Sequence, residues 1–300
     1  MRGSRALPPS RLMSFSLASF VPTASAVDAS GPFVRQRTAL RLSSRFNRQS
    51  HPDPQVEAAI EHVWQEYKQK SPRLFNGTKF RLHHMSMAED ATLVLHCGLT
   101  DYRTYLGTCG SDIVTRLCED SRRLAETTTA SDDKQDAYAY AYLSRKIGVS
   151  AIVETADSRL VLIERSGSVG VYKQLVDTPG GHPEPSELSL TETDLDALES
   201  PDRDADRLRM ENLARDRLFD SIVDEVHEEI NVSSDLLSDP LLLGVVYQAE
   251  AHTPSFAFHM KTPLTANDVQ KLYQEGPLDK FESARLHFLD AHAPSTSSGG

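Results

Sequence analysis

Cysteine is scarce in this 300-residue chain: Cys97, Cys109 and Cys118 are the full set. No two of them form a CxxC pair, which excludes a zinc ribbon. An odd, sparse set also argues against a disulfide scaffold and fits a reducing compartment. No run of about 18 apolar residues occurs, so no membrane-spanning helix is expected. Positive charge is in deficit, with 32 Lys+Arg against 43 Asp+Glu and a formal net charge of −11. That balance argues against a nucleic-acid binder, which needs a basic surface to displace counterions. An acidic enzyme can still act on phosphate-rich substrates when a divalent cation supplies the positive charge. The length suffices for one large domain or two smaller ones, with a core that needs no covalent staple.

The charge is unevenly spread. Residues 1–50 hold eight arginines, no lysine and one acid, Asp28. Arg-rich, Ser-rich and acid-poor is the composition of an organelle transit peptide. A secretory leader (Leu12 to Val21, then Ala24-Ser25-Ala26) and an upstream start without targeting role are the other readings. Residues 1–29 are expected to be disordered or a presequence.

Asp53-Pro54 reads as a helix start, with Asp as N-cap and Pro at the first helical position. Val56, Ile60, Val63, Trp64 and Tyr67 then recur at helical spacing. Strands are expected at 35–41, 80–82 and 91–97, and helices at 111–122 and 134–146. A hairpin is expected around Asp157-Ser158, between the runs 151–153 and 160–163. Residues 184–206 carry nine acids and one basic residue without apolar periodicity. They read as a solvated loop, and deleting residues 188–206 should leave fold and metal binding intact. A helix over 210–230 follows, with Leu213, Phe219, Ile222, Val223 and Val226 on its apolar side. Strands at 241–247, 255–261 and 284–289 and a helix at 265–274 complete the chain, before a linker-like tail at 293–300.

Chemistry concentrates in Asp224-Glu225-Val226-His227-Glu228-Glu229-Ile230-Asn231-Val232. Glu225, Glu228 and Glu229 stand at i, i+3 and i+4, so their carboxylates share one helix face. Like charges so spaced repel, and a divalent cation that takes oxygen ligands would relieve the repulsion. An acidic helix face by itself is more often merely solvated. The adjacent pair His83-His84 is a poor chelator, since neighbours on a strand point to opposite faces.

Upstream, Gly181 and Glu187 are spaced as in the Nudix box, G-x5-E-x7-R-E-U-x-E-E-x-G-U with U aliphatic. Gly181, Glu187, Glu225, Val226, Glu228, Glu229 and Val232 take its places. Asp224 stands where the box has Arg, Asn231 where it has Gly, and about 29 extra residues separate the halves. The chain resembles more closely one branch of the superfamily, the eukaryotic UDP-sugar (UDP-glucose) pyrophosphatases. The resemblance runs from about residue 50 to 290. It is carried by Leu74-Phe75, Lys79-Phe80-Arg81-Leu82-His83, Leu99-Thr100-Asp101-Tyr102-Arg103, Leu106-Gly107-Thr108, Gly180-Gly181-His182-Pro183-Glu184-Pro185 and Pro240-Leu241-Leu242-Leu243-Gly244. The branch itself has an interrupted box without the usual Arg and Gly.

The resemblance implies an α/β/α sandwich around a mixed sheet with an N-terminal α/β extension. The regions would be a substrate-binding part at 30–146 and a hydrolase domain at 147–292, with the acidic loop at 186–208 inserted in the box. It implies Mg²⁺-dependent hydrolysis of UDP-glucose or UDP-galactose to UMP and sugar 1-phosphate. Glu225 and Glu229 would bind metal, and Glu228 would orient or deprotonate the water. Phe75, Tyr102, Arg165, Gly170, Asp177, His182 and Glu184 would contact substrate. The family's location is cytoplasmic, with an organelle as the alternative if the N-terminus is a transit peptide. The partners expected are a UDP-sugar, no nucleic acid and no membrane, with oligomeric state open. The rivals are a pyrophosphatase for another nucleoside diphosphate such as ADP-ribose, and a UDP-sugar-binding module without turnover; Asp224 in place of Arg favours the latter. The family continues past the last strand into a further helix and strand, whose lack would leave part of a sheet face uncovered.

Overall fold

The computed structural model describes residues 15–18, 32–128, 138–165, 176–249, 251–276 and 283–291. Two sheets share one core. The larger is an eight-stranded mixed sheet with the path β1 (Phe15–Ala18), β9 (Leu241–Gln248), β10 (Pro254–Lys261), β5 (Gly148–Glu154), β6 (Arg159–Arg165) and β11 (Ser283–Asp290). Two short strands join it: β7 (Val176–Asp177) on β6 and β8 (Gly180–Gly181) on β5. Only β10 and β5 run parallel; the other pairs are antiparallel. The smaller sheet has β4 (Leu93–Asp101) between β2 (Thr38–Leu42), parallel to it, and β3 (Thr78–Met87), antiparallel.

Six helices are described: α1 (Pro54–Lys70), α2 (Tyr102–Gly107), α3 (Val114–Thr128), α4 (Glu192–Ala197), α5 (Asp204–Ile230) and α6 (Ala266–Glu275). Helix α1 starts where the sequence predicts: the Asp53 carboxylate accepts the Gln55 N–H, Pro54 fills the first turn, and Val56, Ile60 and Trp64 are buried. The hairpin of β5 and β6 turns at Ser158, whose φ of 55° is left-handed. Helix α5 packs on β2, β5 and β8, burying Leu218, Phe219, Ile222, Val226 and Ile230. None of the described helices is long and apolar enough to cross a membrane. The cysteines are buried and unbridged.

Three expectations need correction. The segment 184–206 is not a solvated loop. Thr191 and Asp194 cap α4 reciprocally, and Leu190, Leu195 and Leu198 are buried in the main core. The Glu199 carboxylate accepts from the Ser43 hydroxyl at 2.5 Å and the Ser44 N–H at 3.1 Å, pinning this acidic stretch to the smaller sheet's end. Helix α5 consequently begins at Asp204, and Leu213 is 41% exposed while Leu218 takes the core position.

The helix expected at 134–146 lies partly outside the described residues, and 139–147 is irregular. The reason is Arg81, only 1% exposed, whose guanidinium donates to the carbonyls of Leu143 (3.0 Å), Phe46 (2.7 Å) and Tyr140 (2.8 Å). Those contacts satisfy carbonyls that helical bonding would otherwise use. Burial lowers the pKa of Arg81 to about 9. Of residues 1–29, the described Phe15–Ala18 form the strand β1 on β9. His83 and His84 do not diverge, because a bulge interrupts β3 there. Their ring centroids are 5.4 Å apart, and His84 stacks on His96 at 4.0 Å. Burial lowers His83 to about 3 and His96 to about 4, so both are neutral aromatic packing groups at pH 7.

Candidate functional site

Helix α5 delivers the predicted carboxylates to strand β8. Glu229 is 2% exposed, and its Oε2 accepts the Gly180 N–H at 2.8 Å. One turn earlier, Glu225 lies against Gly181, where a Cβ would collide with its carboxylate. A Cβ on Gly180 would collide with the Val149 carbonyl of β5. The glycine pair is thus required by close approach rather than by an unusual backbone angle. Gly181→Ala should push the Glu225 carboxylate aside while the fold survives. Turnover should fall by about a hundredfold with an unchanged melting temperature; wild-type rates would show that Glu225 is not held by this contact.

The two departures from the box have structural reasons. Asn231 caps α5 at φ 59°, ψ 31°, a left-handed position that favours Gly and that Asn tolerates best among other residues. Its Nδ2 also donates to the Leu272 carbonyl at 2.8 Å. Asp224 pairs with Arg217 at 2.8 Å, and Arg217 reaches Glu187 at 2.6 Å. An arginine two turns upstream therefore joins Glu187 to the helix, where the box would place one beside it. Glu187 and Asp224 are 42% and 50% exposed, so Arg217→Ala should cost about 1 kcal/mol or less. The loss should shrink in high salt. Urea melts at two salt concentrations check this; a salt-independent loss would point to packing instead.

Beside His182, the residue after the Gly180–Gly181 strand, lies a pocket of about 200 Å³ lined by Phe75, Gly77, Lys79, Tyr102, Lys146, His182 and Glu184. Four of the predicted substrate residues meet here: Phe75, Tyr102, His182 and Glu184. Phe75 is 80% exposed at the rim. Tyr102 is held where its N–H donates to the Gly77 carbonyl at 3.0 Å, and it stacks on Tyr105. Burial raises the Tyr102 phenol above its ordinary range, so it is a neutral ring at pH 7. Glu184 pairs with Lys79 and accepts from the Ser186 hydroxyl.

Of the other three predicted residues, Asp177 is described and is not part of the lining. Asp177 sits in β7 opposite Ile163, and its carboxylate accepts the Thr178 N–H at 2.9 Å. Arg165 ends β6, and Gly170 lies outside the described residues. Sequence reasoning missed Lys79 and Lys146. Lys79 stands inside a quoted motif, but Lys146 fell at the end of an expected helix.

Among the described residues no three His, Cys, Asp or Glu side chains form a ready-made metal cluster. Glu225 and Glu229 supply two hard oxygen donors one turn apart. A cation of the Mg²⁺ type is suited to such a partial shell, since it completes its octahedron with water and substrate phosphate.

No family model matches the chain. Curated relatives do. The uridine diphosphate glucose pyrophosphatase NUDT22 of Mus musculus is 33% identical over 270 residues, covering 87% of this chain and 78% of that protein. The human protein of that name is 32% identical over 269 residues, covering 87% and 80%. Nudix hydrolase 9 of Arabidopsis thaliana is 30% identical over 258 residues, covering 84% and 77%. The chain belongs to the Nudix hydrolase family, and within it to the UDP-sugar pyrophosphatase branch. Its mixed sheet with packed helices is an α/β arrangement.

Proposed function

We propose that this chain hydrolyses the pyrophosphate of UDP-glucose and UDP-galactose to UMP and sugar 1-phosphate, with Mg²⁺ as the required cation. The observation that carries the reading is the shared strand. Gly180 and Gly181 contact Glu229 and Glu225, while the next residue, His182, lines the aromatic pocket. A nucleotide bound at Phe75 and Tyr102 would thus direct its phosphates toward the carboxylates. The curated relatives named for UDP-glucose pyrophosphate hydrolysis support the substrate class.

Glu225 and Glu229 would hold Mg²⁺, which supplies charge neutralisation at the phosphates and a more acidic bound water. The other tasks fall to the chain. Phe75 and Tyr102 stack the base, His182 and Glu184 contact the polar part of the nucleotide, and Gly180 and Gly181 admit the ligand close to the backbone. Glu228, half-buried on the same helix, orients water or takes its proton. A panel of UDP-glucose, UDP-galactose and ADP-ribose, each with and without Mg²⁺, tests the reading. Turnover of the UDP-sugars at rates well above ADP-ribose is expected. A preference for ADP-ribose would overturn the substrate class.

A further inference from the structure

Lys146 is 8% exposed and lines the pocket, yet none of the ion pairs found among the described residues joins it to a carboxylate. Its Nζ contacts His182 Nε2 and lies 4.4 Å from the centroid of the Tyr105 ring. Lys79, the other ammonium of the pocket, is already paired with Glu184. The ionisable lining thus offers two ammonium groups against one carboxylate, on a chain whose net charge is −11. A local positive excess on an acidic protein is a focusing field for an anion.

The position of Lys146 is also fixed. Its backbone bridges Arg81, the Leu82 N–H donates to the Arg145 carbonyl at 3.1 Å, and the Ile147 N–H donates to the Phe80 carbonyl at 2.8 Å. Residues 145–147 are therefore bound along β3. Lys146 stands two residues before β5, whose Val149 and Ser150 pair with Gly181 and Gly180. This puts it next to His182, the residue that follows β8.

We propose that Lys146 reads the anionic part of the nucleotide: its ammonium holds a phosphoryl oxygen and distinguishes a phosphorylated nucleoside from the bare one. The assignment rests on the functional reading above. The groups facing Lys146 are Lys79 from β3, Tyr102 and Tyr105 from α2, Cys109 just beyond it, and His182 and Glu184 from the segment after β8. Burial, reinforced by Lys79, lowers Lys146 to about 7. The free pocket is therefore cationic below neutrality and loses that charge above it, so affinity for an anion falls as pH rises past this value.

Calorimetric titration of the full chain with UDP-glucose and with uridine, in EDTA to prevent turnover, tests this at pH 6.0 and 8.0. Wild type should bind UDP-glucose more tightly than uridine at pH 6.0, with the advantage shrinking at pH 8.0. Lys146→Met and Lys146→Gln should weaken UDP-glucose at pH 6.0 by about tenfold or more, abolish its pH dependence, and leave uridine unchanged. Uridine binding doubles as the check that the variants fold. Unchanged UDP-glucose affinity, or equal losses for both ligands, would overturn the role of Lys146 and leave the substrate reading standing. Wild-type protein that binds neither ligand would overturn both.

Discussion

Glu229→Gln is expected to lower Mg²⁺-dependent turnover by on the order of a thousandfold, at an unchanged melting temperature. The two effects separate because the carboxylate has two jobs. Its Oε2 accepts the Gly180 N–H, and a glutamine carbonyl can keep that bond in the same buried space. What glutamine cannot keep is the negative charge that would hold a cation beside Glu225. Glu225→Gln should behave alike, since its carboxylate sits against Gly181. Initial rates with UDP-glucose, paired with thermal melts, check both. Near-normal rates in either variant would refute the assignment of this pair as the cation site. A lost melting transition would show that the charge serves the fold.

Deleting residues 190–199 is expected to unfold the protein. The segment contributes Leu190, Leu195 and Leu198, which are 1%, 0% and 5% exposed in the main core, together with the Glu199 contacts to Ser43 and Ser44. One buried Leu→Ala change costs about 2–5 kcal/mol, and a whole domain is stable by only about 5–15 kcal/mol. Leu195→Ala alone should therefore shift the urea midpoint strongly, and the deletion should leave no cooperative transition. A deletion variant that melts like wild type would show that the acidic stretch is dispensable after all.

Much of the fold was legible because local signals agreed with burial. Asp53-Pro54 capped a helix whose apolar positions repeat correctly, and the polar Asp157-Ser158 pair marked a hairpin between β-branched runs. The i, i+4 spacing of Glu225 and Glu229 agrees with their approach to Gly181 and Gly180. The acidic stretch misled because four leucines are diluted among nine acids. Its helix is only six residues long, too short to show a period. The signal that was available is Thr191 followed three residues later by Asp194, a capping pair. Lys146 was not legible, since its place depends on the buried Arg81 drawing the 140–143 carbonyls out of helical bonding. The departures at Asp224 and Asn231 could be read as defects of the box. Only the three-dimensional contacts show Arg217 bridging from two turns upstream and Asn231 filling a left-handed cap.

The most direct measurement is product analysis. The chain is incubated with UDP-glucose, with and without Mg²⁺, and the products are resolved by anion-exchange chromatography. The account predicts UMP and glucose 1-phosphate in equal amounts, appearing only with Mg²⁺. Intact UDP-glucose after prolonged incubation with Mg²⁺, or release of UDP and free glucose, would contradict it.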